Sequence, residues 1–281
     1  MRAGKLIDFH MHTTLSGHAS GTMEEYVESA IELGLAEIGF ADHYPYPDAM
    51  PDQPDNCSIP AGQFETYLDE VLRLRDKYMG RIAIRAGAEF DYLGPEISYH
   101  PMEEARRHGL DFCLCSVHIV DGVIVDYSPE WLRQGLKNYS GGIDRFYERY
   151  WESLLEICRP GWCTTLGHLD IVKKFSNEPD LRPSAQPDSL IDRVLDAASS
   201  SGIVVEINTS GWDKPCAEQY PSLDILRRAV ARGVRITAGS DAHAPGEVGR
   251  KFDRLRGLLD ELGVKSLVGF ENLMAKEYSI H

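Results

Sequence analysis

Nine side chains of metal-binding type are spread over the chain, and each lies at or just beyond the end of a segment with the pattern of a β-strand. They are His10, His12, His18, His43, Glu89, His118, His168, Asp241 and His243. In a parallel α/β barrel the carboxyl ends of all strands meet at one mouth, so residues that are distant in sequence converge there. We therefore expect these side chains to form one metal cluster.

The types of these side chains limit the metals they can bind. Imidazole and carboxylate ligands without thiolate suit Zn²⁺, Fe²⁺ or Mn²⁺, and nine ligands are too many for one ion but suit two or three. Glu89 is suited to bridge two of them. Ions about 3.5 to 4 Å apart can activate a shared water and stabilise a leaving alkoxide, so the pattern is typical of a hydrolase.

The elements that must position this cluster follow from the hydrophobic pattern. Short β-branched segments alternate with segments of helical period, which predicts an α/β fold with parallel strands. Seven strands are predicted, at residues 5–9, 37–41, 82–88, 112–117, 164–167, 203–207 and 235–240. Six of these seven strands are followed directly by a candidate metal ligand. The exception is the strand at 203–207, which is followed by Asn208, whose amide could orient a substrate. One barrel of about 250 residues would use nearly the whole chain, so we expect a single domain over 1–281.

Alternation along a strand predicts which side chains share a face. In the strand at 112–117 it places Cys113 and Cys115 opposite His118, so we expect both thiols to pack under the outer helices. In the first strand it groups Asp8 with the ligand histidines. We expect Asp8 to accept a hydrogen bond from a ligand imidazole.

The connecting segments differ in regularity. Thr22 and Glu25 have the spacing of a capping box, which predicts a helix that ends near Gly34. Five prolines between residues 44 and 62 exclude a helix interior there. We expect the segment 44–62 to form a lid over the mouth of the barrel.

Composition limits the partners and the location of the protein. A formal net charge of −15 argues against broad binding to a nucleic acid polymer or to an anionic membrane. The chain has no basic-then-apolar leader and no apolar run of about 18 residues, so we predict a cytoplasmic protein without a membrane span. Its six cysteines are then expected to be reduced thiols. His100, His108 and His281 lie away from the predicted strand ends, and we expect them to be structural.

The candidate ligands occur in motifs with a distinctive order. These are Asp8-Phe-His10-Met-His12-Thr13, the later His18, Ala41-Asp42-His43, Gly87-Ala-Glu89, Ser116-Val-His118, Gly167-His168-Leu-Asp170 and Gly239-Ser-Asp241-Ala-His243. In order and spacing the chain resembles the PHP (polymerase and histidinol phosphatase) family over almost its whole length. Two further segments are most similar to the histidinol-phosphatase branch, namely Glu206-Ile-Asn208-Thr-Ser-Gly211 and Lys173-Lys174-Phe175.

The resemblance implies a distorted (β/α)₇ barrel with a trinuclear centre that hydrolyses a phosphomonoester. By position, one ion would be bound by His10, His12, Glu89 and Asp241, a second by Glu89, His118 and His168, and a third by His18, His43 and His243. A metal-bound hydroxide would attack the phosphorus of L-histidinol phosphate, without a protein nucleophile. The chain indeed lacks a Cys-x₅-Arg motif, a Gly-x-Ser-x-Gly motif and a Walker loop.

Substrate contacts are predicted from residue type. The candidates are Asn208, Lys173, Lys174, Lys214 and Arg145. Trp212 and Asp213 stand where the related phosphatases tend to have a basic residue, so either Lys214 substitutes for it or the substrate differs. We expect an acidic residue of the lid to face a substrate ammonium, and the candidates are Asp48, Asp52 and Asp55.

Other functions stay open at this point. One is a PHP-type nuclease or phosphatase acting on small nucleotides or another phosphorylated metabolite. A second is a non-enzymatic metal-binding module, against which the full ligand set counts. A third is an amidohydrolase, whose barrels also open with His-x-His but typically recruit a lysine on strand four or an eighth strand, and neither is evident here. The expected partner is a small phosphorylated metabolite, and the oligomeric state is open.

Overall fold

A computed structural model describes residues 6–47, 57–95 and 99–280 of the protein. The strands of this part of the chain are β1 (Ile7–Asp8), β2 (Glu37–Phe40), β3 (Ala83–Asp91), β4 (Phe112–Ser116), β5 (Ile119–Val120), β6 (Val123–Ile124), β7 (Thr165–Leu166), β8 (Val204–Asn208), β9 (Ile236–Gly239), β10 (Ser266–Glu271) and β11 (Met274–Ser279). Its α-helices are α1 (Met23–Glu32), α2 (Phe64–Lys77), α3 (Pro101–His108), α4 (Pro129–Leu136), α5 (Gly142–Ile157), α6 (Asp188–Ser201), α7 (Leu223–Ala231) and α8 (Phe252–Leu262).

Seven parallel strands form the central sheet, in the spatial order β1, β2, β3, β4, β7, β8, β9. The two outer strands of this order also meet: the amide of Phe9 donates to the carbonyl of Ala238 over 2.9 Å, and Met11 and Ala242 form a parallel bridge. The sheet therefore closes into a (β/α)₇ barrel with helices around it. All seven predicted strands are confirmed in order and direction.

The first helix begins where its sequence predicts. The side chain of Thr22 accepts from the amide of Glu25, and the Glu25 carboxylate accepts from the amide of Thr22, so the capping box is confirmed. Helix α1 buries Tyr26, Val27 and Ala30 against the barrel. These residues recur at helical spacing, which explains why the helix packs one face on the sheet.

Two hairpins were not predicted. Strands β5 and β6 pair at the rim of the mouth, directly after His118, and strands β10 and β11 pair at the opposite end of the barrel. There the amide of Asn272 donates to the Asp111 carboxylate over 3.0 Å and the amide of Leu273 donates to the Asp111 carbonyl. Because this second hairpin contacts the start of β4, it covers the amino-terminal end of the barrel.

The barrel wall and its interior are tightly packed. Cys113 and Cys115 are buried, as alternation predicts, and burial raises the pKa of Cys113 to about 12. The ring of Phe112 lies against Gly87 so closely that a Cβ atom there would overlap it. Among the described residues, no helix has the length and apolar character that a bilayer crossing requires. Residues 48–56 of the predicted lid, which include Asp48, Asp52 and Asp55, lie outside the described residues.

Candidate metal centre

The structure brings all nine candidate ligands together at the carboxyl end of the barrel. Their donor atoms, with one from Asp91, form overlapping groups in which every pair of atoms lies within 4.8 Å. The groups are His12, His18 and His243; His10, Glu89 and His168; His10, His12 and Asp241; His12, His43 and Glu89; and His43, Asp91 and His118. Donors from β1, β2, β3, β4, β7 and β9, or from the loops that follow them, therefore share one site.

Glu89 lies at the centre of these groups and is almost fully buried. Its Oε2 atom lies 3.3 Å from Nε2 of His10 and 3.3 Å from Nδ1 of His43. Its Oε1 atom lies 3.0 Å from Nε2 of His168 and 3.8 Å from Nε2 of His118. The two carboxylate oxygens thus face two different sets of imidazoles, which is the geometry of a bridging ligand.

The spacing of the donors fits bound metal ions. The Nε2 atoms of His10 and His12 lie 3.1 Å apart, as do those of His118 and His168. The Oδ1 atom of Asp241 lies 3.3 Å from Nε2 of His12. Donors bound to one tetrahedral ion by bonds of about 2.0 to 2.1 Å lie roughly 3.4 Å apart. The residues present therefore fit divalent cations bound by nitrogen and oxygen.

The third predicted group is only partly reproduced. The ring centroid of His243 lies 4.7 Å from that of His18 and 4.4 Å from that of His12. The ring of His43 lies 5.6 Å from that of His18, and its Nδ1 atom is 3.4 Å from the Asp91 carboxylate. In the structure, His12 takes the place predicted for His43 in the group with His18 and His243. The assignment of His43 to a third ion stays a prediction.

Burial and charge set the protonation of the cluster. Burial lowers the pKa of His18 and, together with nearby His12, lowers that of His243 well below its ordinary value, so both rings are neutral at pH 7. Burial opposes ionisation of Glu89 and Asp241, but the surrounding imidazoles hold both carboxyl pKa values well below the usual range. Neutral imidazoles and ionised carboxylates are the forms that bind metal.

Three buried carboxylates contact the imidazoles of candidate ligands, and the sequence had suggested a role for none of them. Glu206 contacts Nδ1 of His10 at 2.7 Å, Asp91 contacts Nδ1 of His118, and Asp42 lies 3.4 Å from Nδ1 of His12. Carboxylates in this position fix the ring orientation and raise the basicity of the ligand nitrogen. Alternation could have identified Asp91, which is two residues beyond Glu89 in β3 and so on the same face.

The role predicted for Asp8 is wrong. Its carboxylate is fully buried, and among the described residues it accepts from the backbone amides of Ser240 at 2.8 Å, Gly249 at 3.0 Å and His10 at 3.4 Å, not from an imidazole. The closure of the barrel explains the difference, because it brings the loop after β9 onto the side of β1 that carries Asp8. Burial raises the pKa of Asp8.

A cavity of about 330 Å³ opens over the cluster, and two of the predicted phosphate contacts line it. Lys174 and Lys214 are both part of its wall. Lys173 is not: its ammonium is buried and contacts Asp170 at 3.0 Å and Glu218 at 2.9 Å. Neighbouring residues of the short helix Ile171–Lys173 and its cap point in different directions, so only one lysine reaches the cavity.

Arg145 and Asn208 were also predicted to contact substrate, and the structure contradicts both. Arg145 lies on the outside of α5, where its guanidinium pairs with Glu152 at 2.8 Å and with Glu148 at 3.0 Å. Asn208 is fully buried: its amide donates to Glu206 over 3.2 Å and its carbonyl accepts from Ser210. Asn208 therefore supports the carboxylate that orients His10.

Several residues of the cavity wall were not identified from sequence. They include Tyr46, Asp126, Tyr127, Tyr220, Glu247 and Arg250. Asp126 follows the hairpin β5–β6, and Arg250 follows the loop that carries Asp241 and His243. Both belong to rim segments outside the barrel strands, so strand periodicity carried no information about them.

Comparisons with known proteins agree with this geometry. The chain matches the PHP domain family over residues 8–210. It is 34% identical, over 88% of its length and 90% of the relative's, to a protein of Deinococcus radiodurans named "Probable histidinol-phosphatase". It is 28% identical, over 88% of its length and 96% of the relative's, to the histidinol-phosphatase of Bacillus subtilis.

A solved structure has the same fold. It is the histidinol phosphate phosphatase of Lactococcus lactis complexed with zinc, L-histidinol and phosphate, and it superposes with a TM-score of 0.74 at 21% identity over 97% of this chain and 99% of the other. The barrel, the cluster at its mouth and the match over most of the sequence lead to one conclusion. This chain belongs to the PHP domain family.

Proposed function

We propose that this protein is a metal-dependent phosphomonoesterase that hydrolyses L-histidinol phosphate to L-histidinol and inorganic phosphate. The observation that supports this most directly is the position of Glu89 between two sets of imidazoles on the floor of the cavity. Relatives that match this chain over most of its length are named histidinol-phosphatases. The cavity is large enough for a small metabolite.

Three divalent ions, zinc, iron or manganese, would occupy the site. In this proposal the ligands of the first are His10, His12, Glu89 and Asp241, those of the second are Glu89, His118 and His168, and those of the third are His18, His43 and His243. When bound, such ions polarise phosphate oxygens and lower the pKa of a coordinated water. We also propose that the chain acts as one cytoplasmic domain.

The chain itself supplies positive charge for the phosphate. Lys174, Lys214 and Arg250 line the cavity, and Lys and Arg are the usual donors to phosphate oxygens. No Cys, Asp or Ser nucleophile is needed in this proposal, because cations held by the candidate ligands would supply an activated water.

The substrate ammonium would be bound by Asp126. This residue lies in the cavity wall, and its carboxylate and carbonyl oxygens accept from the ammonium of Lys174 at 3.3 Å and 2.6 Å. Burial raises the pKa of Asp126, but Lys174 and the imidazoles of His118 and His168 outweigh it and lower the pKa below its ordinary value. An ionised carboxylate in the cavity wall suits an ammonium group.

A substrate panel tests the main proposal. The metal-reconstituted protein is assayed for phosphate release from histidinol phosphate, 3′-phosphonucleotides, sugar phosphates and a generic aryl phosphate. We expect kcat/KM to be highest for histidinol phosphate. Preference for a 3′-phosphonucleotide would instead favour a nucleotide phosphatase, and equally slow release from every compound would refute both.

Loss of the bridging carboxylate should abolish activity. Glu89→Gln removes the charge that faces both sets of imidazoles. We expect kcat to fall at least about 100-fold and the amount of bound metal to fall with it. Loss of a residue that orients a ligand costs about 10- to 100-fold in metal affinity or activity, and loss of the ligand itself should cost no less. The metal content per protein molecule is measured by inductively coupled plasma mass spectrometry. The matched control is Glu148→Gln on the surface of α5, which should behave as the wild type; full metal content and activity in Glu89→Gln would contradict the assignment.

Loss of the Asp126 charge should affect only substrates that carry an amine. A hydrogen bond to a charged group contributes about 1.5 to 3 kcal/mol, so Asp126→Asn should lower kcat/KM for histidinol phosphate roughly 10- to 100-fold. Activity on an aryl phosphate should stay within about threefold of the wild type. Asp121→Asn, in the turn of the same hairpin but outside the cavity wall, is the control, and an equal loss on both substrates would assign Asp126 a structural role instead.

A further inference from the structure

The segment that carries two of the candidate ligands has an unfavourable backbone conformation. Asp241 has a φ of 53°, in the left-handed region that residues other than glycine seldom adopt. From this conformation its carboxylate reaches within 3.3 Å of Nε2 of His12, and His243 lies with its ring 4.4 Å from that of His12. Something must therefore stabilise the segment 241–243 in this form.

An ion pair outside the ligand set contacts both ends of this segment. Arg250 donates from Nη2 to the carbonyl of Asp241 over 3.1 Å, and the same nitrogen pairs with Glu247 at 2.9 Å. Glu247 in turn accepts from the amide of His243 over 2.8 Å. The pair thus bridges the backbone before and after Ala242, and the side chain of Arg250 is only 11% exposed.

Three further hydrogen bonds hold the loop against β1 and the residues that follow β1. The carboxylate of Asp8 accepts from the amides of Ser240 and Gly249, which precede Asp241 and Arg250 directly. The amide of His12 donates to the carbonyl of Ala242 over 2.9 Å. The loop is therefore anchored to the barrel at both ends and at Ala242, and the ion pair adds contacts to the backbone on either side of Ala242.

We propose that the Arg250–Glu247 pair is a positioning device that keeps Asp241 and His243 in the one backbone conformation from which both can bind metal. This inference rests on the metal centre of the proposed function. Neither residue is a ligand. Without the pair the left-handed turn relaxes, the two donors separate, and the metal sites that use them lose affinity.

The test is metal binding by variants of the pair. In Arg250→Ala we expect the affinity for at least one equivalent of Zn²⁺ to fall 10- to 100-fold in competition with a chromophoric chelator, which is the range for residues that orient ligands. Glu247→Gln keeps an acceptor for the His243 amide and loses the charge, so its loss should be smaller. Arg250→Lys should recover part of the affinity, because an ammonium can pair with Glu247.

Cobalt provides a readout of geometry that is independent of turnover. Co²⁺-substituted Arg250→Ala should show altered visible absorption bands, whereas Arg145→Ala, which removes a surface ion pair of α5, should match the wild type. Wild-type affinity and spectra in a folded Arg250→Ala would overturn the proposal. If Arg250→Ala does not fold, the same comparison is made with Arg250→Lys and Glu247→Gln, and wild-type behaviour of both would overturn it equally.

The two proposals fail differently. A wild type that binds Zn²⁺ but does not release phosphate from histidinol phosphate refutes the proposed substrate and leaves the role of the pair intact. A wild type that hydrolyses histidinol phosphate while the variants of the pair keep full metal affinity refutes only the positioning role.

Discussion

At the scale of single residues, the site consists of candidate metal ligands and of the carboxylates that contact them. Glu206 shows why both are needed. One of its oxygens lies 2.7 Å from Nδ1 of His10, and the other accepts from the backbone amide of His168 over 2.7 Å. One buried carboxylate therefore sets the ring of one candidate ligand and the backbone of another.

Removing the charge of Glu206 should weaken metal binding without removing a ligand. Glu206→Gln keeps the size of the side chain but reduces the basicity of His10, so we expect Zn²⁺ to bind about 10- to 100-fold more weakly. Chelator competition measures the affinity, and circular dichroism checks that the fold is retained. Glu277→Gln, on the exposed strand β11, is the control; unchanged affinity in Glu206→Gln would show that His10 needs no such partner.

At the scale of elements, the barrel strands place donors and the loops add to them. Strand β3 runs three residues beyond its predicted end and carries Glu89 and Asp91 on one face. The turn of the hairpin β5–β6 is Asp121-Gly122, with φ values of 49° and 80°. Asp-Gly is a strong hairpin signal, so this hairpin was predictable. The turn of β10–β11 contains Leu273 at φ 64°, a residue that such turns disfavour, and its sequence carried a weaker signal.

The packing of β9 against β8 leaves no room for a side chain at Gly239. A Cβ atom there would overlap the Glu206 carboxylate and would lie 2.6 Å from Cβ of His10. We expect Gly239→Ala to lower the free energy of unfolding by about 1 to 3 kcal/mol, the usual cost of overpacking, and to reduce bound metal. Urea unfolding and metal analysis measure the two effects.

Gly257 provides the matched control for that substitution. It lies inside α8 with open space around its Cα, so Gly257→Ala should stabilise the protein by about 0.5 to 1 kcal/mol. A Gly239→Ala protein with the stability and metal content of the wild type would mean that β8 and β9 can separate locally without affecting the site.

At the scale of the whole molecule, an acidic protein concentrates buried carboxylates around one cavity. The net charge is −15, and Asp8, Asp42, Glu89, Asp91 and Glu206 are all nearly inaccessible to water. Buried anions are costly unless cations or hydrogen bonds compensate them. In the metal-free protein, protons on the imidazoles provide part of this compensation, and bound ions would replace them.

Metal binding should therefore compete with protons. Burial lowers the pKa of His12, but contacts with Asp241 and Asp42 outweigh it and raise that pKa to about 9 in the metal-free fold. Because the folded value exceeds the ordinary value of about 6.5, this group stabilises the metal-free protein fully below pH 6.5, and the contribution is lost as the pH rises through about 9. Metal affinity should change in the opposite direction and increase over the same window.

Calorimetry in two buffers of different ionisation enthalpy measures the number of protons released on Zn²⁺ binding. We expect protons to be released at pH 7 and fewer to be released as the pH approaches 9. The melting temperature of the chelator-treated protein should fall between pH 6.5 and 9. Zinc affinity that does not vary with pH over this window would contradict the proton competition.

Local sequence determined much of this protein. Strand positions, the capping box at Thr22 and the placement of candidate ligands at strand ends follow from period and spacing, which act over a few residues. Local sequence does not show which of the two adjacent lysines lines the cavity. Lys174 does so, whereas Lys173 pairs with Asp170 and Glu218. The difference depends on how a short helix is oriented against a distant loop.

Only the tertiary structure decided which groups meet across the barrel. Closure of β1 against β9 turned Asp8 from an expected partner of imidazole into an anchor for the loop after β9. Such pairs join residues that are far apart in sequence, and their distances depend on the shape of the closed sheet, which no local pattern contains.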